Sequence, residues 1–192
     1  MSTPSSTPTA VPWTAPSIVI ATVFWLGRLR PAPGSWGAMV GIPLSLATGC
    51  AATWISGGFT QTDHEALADA TTGFPTFAIG IEFVLLASIV AIAVPICTRA
   101  ARLMAKGKDP SAIVLDETAS LPMGLLVVPF AERDPSMLVV GWLLHRLFDI
   151  SKPFPCRRLE RLSDGLGIMA DDLAAAGWMA ATIASLRAAD LL

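Results

Sequence analysis

The sequence predicts an all-α, multihelical bundle embedded in a membrane, and composition, long uncharged stretches and clustered charges support this fold class. Of the 192 residues, 53% are hydrophobic and 15% are charged, and the mean hydropathy is +0.61. This balance differs from that of ordinary soluble domains. The formal net charge of -2 at pH 7 gives no basic excess for binding a phosphate backbone, which argues against nucleic acid as a partner.

Two apolar stretches predict membrane-spanning helices. Residues 36–55 supply about the 20 apolar residues that cross a hydrocarbon core, and residues 79–97 form a second such stretch. Glu82 is the acidic residue of the second stretch, and we expect it to reach the interface from one end. Pro43 and Pro95 lie inside the two stretches, so kinked helices are expected.

The remaining segments predict shorter elements. Residues 1–16 hold four prolines and no charge, which predicts a disordered tail ahead of one membrane domain, residues 17–192. No Lys or Arg precedes the apolar run 18–26, unlike in a signal peptide, so a short membrane-surface or core helix is expected there. Three further apolar stretches are too short for secure spans and predict a shallow or half-buried bundle: residues 118–131, 135–144 and 173–186.

Charged residues on either side of the two spans predict their orientation. Basic residues flank the outer ends of the two spans, and the charged residues in the loop between the spans are all acidic. The positive-inside rule then predicts a hairpin with both ends in the cytoplasm and the loop outside. The basic residues are Arg28, Arg30, Arg99, Arg102, Lys106 and Lys108, and the acidic ones are Asp63, Glu65 and Asp69.

Four polar islands follow on the predicted cytoplasmic side. They are residues 31–37 (PAPGSWG), 109–117 (DPSAIVLDE), 146–155 (RLFDISKPFP) and 164–172 (DGLGIMADD). Because charges beside a membrane core are costly, their convergence predicts a functional site. Clustered carboxylates are hard oxygen ligands suited to Mg²⁺, which in turn suggests a phosphate ligand. The candidate carboxylates are Asp116, Glu117, Asp149, Asp171 and Asp172.

Basic residues and glycines of the islands predict how a phosphate is held. Arg146 shares a helix face with the carboxylate three residues later, and Lys152 precedes a proline that ends the helix, so both are available for phosphoryl oxygens. Gly165 and Gly167 precede a helical segment, where bare backbone N–H groups approach an anion. Asp171 and Asp172 are about 100° apart on a helix, so one is expected to ligate directly and the other through water or a neighbour.

Simpler interpretations stay open for each of these groups. The acidic pairs also complement helix dipoles, and Arg146 with Asp149 also forms an ordinary i,i+3 ion pair. The arginines at 157, 158 and 161 predict a basic patch that meets anionic lipid. His64 and His145 are interpreted as surface and packing residues.

Taken together and in this order, the islands resemble the phosphatidylglycerophosphatase A family over residues 27–176. The resemblance implies an all-helical, Mg²⁺-dependent lipid phosphatase, a phosphoric monoester hydrolase. Its substrate would be phosphatidylglycerophosphate, from which it forms phosphatidylglycerol. It also implies a multi-pass protein of the bacterial inner membrane, bound to membrane phospholipid, with its site on the cytoplasmic side.

The resemblance assigns roles to particular residues. Metal ligands would be Asp116, Glu117, Asp149 and Asp172, which together with Asp171 form the catalytic set. Substrate contacts would come from Gly34, Arg146, Lys152, Gly165 and Gly167. The chain departs from the family pattern at Ser120, Asp164 and Ala176, where glycine is usual.

Other functions have weaker support. Cysteine-dependent phosphatases need an arginine at CxxxxxR spacing, which no cysteine here has. A CDP-alcohol phosphotransferase needs DGxxAR, whereas Asp164 and Gly165 are followed by LGIM. A noncatalytic membrane scaffold derived from the phosphatase family stays open, and the nucleophile, metal-bound water or a carboxylate, is also open.

Overall fold

The computed structural model describes residues 11–57, 74–104 and 110–192, and in these ranges the chain forms seven α-helices and no strand. The all-α prediction is confirmed. The helices are α1 (Pro16–Ala21), α2 (Pro33–Ile55), α3 (Phe74–Met104), α4 (Leu115–Gly124), α5 (Pro135–Ser151), α6 (Cys156–Leu159) and α7 (Asp164–Ala188). Short 3₁₀ turns occur at Leu26–Arg28, Leu125–Val127 and Phe130–Glu132. Three parts of the chain lie outside the described residues. They are the predicted tail up to residue 10, residues 58–73 with His64 and the charged residues of the acidic loop, and residues 105–109 with Lys106, Lys108 and Asp109.

Three helices, α2, α3 and α7, are long and apolar enough to cross a membrane. The first two match the predicted spans, and both continue through their internal prolines, Pro43 and Pro95. Large apolar side chains of α3 face outward, with Val84 61% and Ile92 62% exposed. Such an apolar outer surface suits lipid rather than water.

The third span corrects a prediction. Residues 173–186 alone are too short to cross a bilayer, but α7 begins at Asp164 and runs for 25 residues. The helix continues through the last polar island because Asp171 and Asp172 are buried against neighbouring helices rather than exposed to lipid. The sequence-based boundary was therefore wrong at the amino-terminal end.

Helices α4 and α5 form the short part of the bundle. The predicted helix over 118–131 stops at Gly124 and continues as separate 3₁₀ turns. Helix α5 is longer than predicted, 17 residues, and begins at an N-cap, Asp134, whose carboxylate accepts hydrogen bonds from two backbone amides. Close packing of α4 depends on glycines: a Cβ at Gly41 would lie 3.0 Å from the Thr118 carbonyl oxygen.

A buried ion pair corrects the prediction for Glu82. Its carboxylate does not reach an interface; the residue is 2% exposed and accepts two hydrogen bonds from Arg133, at 2.7 and 2.8 Å. The guanidinium also donates to the carbonyl oxygens of Val128 and Ser45, at 3.0 and 3.1 Å. Thr48 adds a hydrogen bond to the carboxylate at 3.1 Å. The pair therefore links α2, α3 and the turn before α5.

The amino-terminal segment packs on the bundle. Ile18 of α1 is fully buried, so the short helix predicted here belongs to the core. Val11 and Trp13 pack against the same apolar cluster, so the packed part of the chain includes residues that the sequence placed in the tail.

The polar islands meet at one end of the bundle, as predicted. Helices α2, α4 and α7 begin at this end, and α3 and α5 end there. Contacts between the islands define the position: Gly34 lies against Glu117, and Lys152 is bonded to Asp171. We call this the site end.

Candidate active site

Three carboxylates form the centre of the site end. Asp116 and Glu117 lie in the first turn of α4, and Asp172 faces them from α7. Each offers an oxygen within 4.8 Å of the other two. Asp116 is 6% exposed and Asp172 is 4% exposed, so the acidic groups meet in a mostly buried position.

One oxygen of each of these three carboxylates lacks a hydrogen-bond partner. Asp116 Oδ1, Glu117 Oε2 and Asp172 Oδ2 are buried and accept no hydrogen bond from any described residue. Burial, followed by the neighbouring charges of Glu117 and Asp172, raises the pKa of Asp116 well above its usual value. Burial also raises the pKa of Glu117, against the lowering effect of its bond with Asp116. A divalent cation would satisfy these oxygens and offset their mutual repulsion.

Arg146 lies beside this group at the end of α5. Its Nη1 atom is 2.6 Å from Asp149 Oδ2 and 3.8 Å from Glu117 Oε1. Asp149, predicted as a fourth metal ligand, is not one of the three clustered carboxylates; it holds Arg146 and lies next to Asp172. The predicted ion pair and the predicted approach of Arg146 to the site are thus both present.

Lys152 is the C-cap residue of α5 and also lies at the site end. Its ammonium group bonds Asp171 at 2.8 Å and Glu160 at 3.1 Å. Burial would lower the pKa of Lys152, but its hydrogen bonds and charge interactions with Asp171 and Glu160 raise it, so the side chain stays positively charged. Asp171 therefore faces Lys152 rather than the carboxylate cluster. Glu160 lies between two islands, so no motif in the sequence pointed to it.

Gly34 marks the closest approach of α2 to the site. A Cβ at this position would lie 2.2 Å from Glu117 Oε1 and 2.9 Å from Arg146 Nη1. No other residue fits without displacing both side chains. The prediction that Gly34 lies at the site agrees with this geometry.

Gly165 packs α7 against α3, and Gly167 packs against the turn that precedes α7; the nearest atoms to either glycine do not include the clustered carboxylates. The amide of Gly165 donates to Thr98 Oγ1 at 3.1 Å, and a Cβ there would lie 2.3 Å from the Val94 carbonyl oxygen. A Cβ at Gly167 would meet the Leu162 carbonyl oxygen at 2.5 Å. The predicted anion contact is wrong for Gly165, because α7 begins one residue earlier and its amide is already bonded to α3.

The three departures from the family pattern each have a structural setting. Ser120 Oγ bonds His145 Nε2 at 2.9 Å, and the histidine is fully buried, in keeping with a packing residue. Asp164 takes a left-handed conformation, with φ of 53°, and pairs with Arg102 at 2.5 Å; Asp tolerates this region better than most residues. Ala176 is 1% exposed in the core. The fold thus accommodates all three added side chains.

Comparisons with known proteins agree with the resemblance. A sequence model of the family described as phosphatidylglycerophosphatase A matches residues 19–187. A protein named "Putative phosphatidylinositol-3-phosphatase" from Bacteroides thetaiotaomicron is 37% identical over 81 residues, 42% of this chain and 51% of that protein. Phosphatidylglycerophosphatase A from Haemophilus influenzae is 26% identical over 162 residues, 84% of this chain and 82% of that protein.

The chain therefore spans about half of the first relative and most of the second. No solved structure matches it. The family match covers nearly all of the described helices and includes every clustered carboxylate. The chain belongs to the phosphatidylglycerophosphatase A family.

Proposed function

We propose that this protein is a Mg²⁺-dependent phosphatase that hydrolyses phosphatidylglycerophosphate to phosphatidylglycerol and phosphate. The observation that carries the proposal is the set of three buried carboxylates with unpartnered oxygens beside Arg146. The family and the names of both relatives agree with a phosphoric monoester hydrolase.

The donor set suits magnesium. Asp116, Glu117 and Asp172 provide only carboxylate oxygens, the ligands Mg²⁺ prefers, and the ion usually keeps several waters besides. Asp149 lies next to Asp172 and is placed to accept hydrogen bonds from such waters. When bound, the ion would neutralise charge developing on the phosphoryl group and lower the pKa of water.

The chain's own cations would hold the substrate. Arg146 lies 3.8 Å from Glu117 Oε1, so a phosphate at the carboxylate cluster is also within its reach and gains charge-assisted hydrogen bonds. Asp149 positions the guanidinium by accepting a hydrogen bond from it at 2.6 Å. Lys152 is positively charged, and its ion pairs with Asp171 and Glu160 hold the ammonium group at the site end. These contacts orient the phosphoryl group and offset its charge.

The setting favours a lipid over a soluble ester. The site end lies where α2, α3 and α7, all long enough to cross a membrane, begin or end. A phosphomonoester on a diacyl lipid presents its phosphate at the membrane interface, where such helices begin or end. We further propose that the site end faces the cytoplasm of a bacterial inner membrane, because Arg28, Arg30, Arg99 and Arg102 lie there.

Phosphate release from the purified protein tests the proposal. With phosphatidylglycerophosphate in detergent micelles, free phosphate and phosphatidylglycerol should appear in equal amounts, and only when Mg²⁺ is present. Asp116→Asn and Asp172→Asn should abolish release, whereas Asp190→Asn, which changes an exposed carboxylate, should not. Activity of both site variants near the parent rate would reject the site. Release without Mg²⁺ would reject the metal requirement.

The choice of substrate needs its own comparison, because the first relative's name refers to a different phosphomonoester lipid. Phosphatidylglycerophosphate, phosphatidylinositol 3-phosphate and glycerol 3-phosphate should be compared at equal Mg²⁺. We expect the first to be hydrolysed fastest and the soluble ester slowest. Equal rates on all three would contradict the assignment, and no hydrolysis of any would favour a noncatalytic scaffold.

A further inference from the structure

A cleft at the site end carries two arginines that the proposed chemistry does not use. It has a volume of about 480 Å³ and is lined by Arg28, Arg30, Pro33 and Trp13, among others. Both arginines are exposed. Neither forms an ion pair with a carboxylate in the described part of the chain. We call it the arginine cleft.

The cleft is built rather than incidental. The Arg28 guanidinium lies over the Trp13 ring, 4.7 Å from its centroid, and the Trp25 indole N–H donates to the Trp13 carbonyl oxygen at 3.0 Å. Val23, Phe24 and Trp25 are all left-handed, with φ of 46°, 54° and 66°. Three such residues in a row are costly, so the surrounding packing must hold this backbone.

The arginine segment is also fixed to the residues immediately before α4, the helix that carries the acidic pair. A Cβ at Gly27 would lie 2.1 Å from the Ala112 carbonyl oxygen, so the two backbones are in direct contact. The Val114 amide bonds the Ala21 carbonyl oxygen at 3.0 Å, two residues before Asp116. Motion of the cleft relative to the carboxylates is therefore restricted.

The cleft is adjacent to the carboxylate cluster through the first residues of α2. Pro33 lines it, and the α-carbon of Gly34 is about 3.8 Å further along the chain. Gly34 in turn lies against Glu117 and Arg146. A ligand with one anionic group among the carboxylates and cations and a second a short distance away would place that second group in the arginine cleft.

We propose that the arginine cleft binds the phosphodiester group of the lipid substrate while its terminal phosphate lies at the carboxylate cluster. This inference rests on the proposed function, since phosphatidylglycerophosphate carries a phosphodiester and a phosphomonoester joined by glycerol. Arg28 and Arg30 supply positive charge and N–H donors for the singly charged phosphodiester, and arginine is suited to phosphate oxygens. The cleft then distinguishes this lipid from esters that have a single phosphate.

Inhibition by two products separates the two phosphate positions. Phosphatidylglycerol keeps the phosphodiester and has no monoester, whereas inorganic phosphate resembles the monoester alone. In micelles of fixed neutral detergent and Mg²⁺, both should compete with phosphatidylglycerophosphate in the parent protein. In the double variant Arg28→Gln with Arg30→Gln, the KM for the lipid and the inhibition constant for phosphatidylglycerol should each rise about tenfold, which corresponds to about 1.4 kcal/mol.

In the same double variant, kcat and the inhibition constant for inorganic phosphate should stay within about twofold of the parent values. A twofold change corresponds to a smaller free energy than the about 1.4 kcal/mol of a tenfold change. A matched variant, Arg157→Gln with Arg161→Gln, removes two exposed charges from the other basic patch of this end. It should alter phosphatidylglycerol and phosphate inhibition to the same extent or not at all.

Each alternative gives a distinct result. Equal shifts for both inhibitors in the arginine-cleft variant would overturn the inference and leave the proposed function intact. Noncompetitive inhibition by phosphatidylglycerol would assign the cleft to a neighbouring anionic lipid and also overturn it. A parent protein that releases no phosphate from phosphatidylglycerophosphate would reject the proposed function itself.

Discussion

Removing one partner of the Glu82–Arg133 pair should be the most damaging change outside the site. Ser45, which bonds Arg133, follows Gly34 by eleven residues of α2, about 17 Å along the helix. The pair is therefore deep in the apolar part of the bundle, and its side chains are 0% and 3% exposed.

The expected magnitude follows from this burial. Glu82→Gln leaves the guanidinium without its counter-charge, and breaking a buried pair in this way costs about 3–5 kcal/mol. Replacing both residues, Glu82→Gln with Arg133→Met, removes the uncompensated charge and should recover about half or more of that loss. Unfolding in mixed detergent and SDS micelles, followed by circular dichroism, measures these free energies as a double-mutant cycle.

An exposed pair provides the control. Arg102 and Asp164 lie 2.5 Å apart at the site end with side chains 68% and 42% exposed, so Arg102→Gln should change the free energy of unfolding very little. The reasoning fails if Glu82→Gln is as mild as this control. It also fails if the losses measured for Glu82→Gln alone and for Arg133→Met alone simply add in the double variant.

Three further outcomes are expected. Gly34→Ala should lower kcat/KM about 100-fold by displacing catalytic groups, whereas Gly177→Ala, with open space around its α-carbon, should keep the parent rate. Burial lowers the pKa of His145 from 6.5 to about 4, so the unfolded chain binds a proton that the folded one does not. The contribution of His145 to stability should therefore rise from pH 4 to 6.5, whereas that of carboxyls with a raised pKa, such as Asp116, falls with rising pH. The difference in thermal unfolding between the parent and His145→Gln isolates the histidine and should grow over this range. With native cysteines removed, Ser56→Cys should react with an impermeant thiol reagent from outside the cell and Ser163→Cys should not; the reverse would invert the topology.

The sequence was sufficient where a property depends on local composition or on a short motif. Residues 36–55, and residues 79–97 apart from Glu82, are apolar over a membrane's thickness, so the helices there can be predicted without tertiary information. Asp116 and Glu117 come together with Asp172 because each lies on a helix that begins at the same end of the bundle.

It was insufficient where the property depends on a distant partner. Glu82 and Arg133 are 51 residues apart, and neither lies in a motif, so a lone acidic residue in a span looked like an interface residue. Gly165 looked like an anion contact because only the structure shows Thr98 already accepting its amide hydrogen. The extent of α7 was missed because its acidic residues are hidden by neighbouring helices.

The Glu82–Arg133 pair also bears on how the protein is assembled during synthesis. Arg133 follows α3 in the chain, so its carboxylate partner has already been synthesised when the arginine leaves the ribosome. Insertion of the α4–α5 segment into lipid before α3 is in place would expose an unpaired guanidinium to hydrocarbon, a costly state. The order of the helices along the chain thus supplies the counter-charge before the arginine.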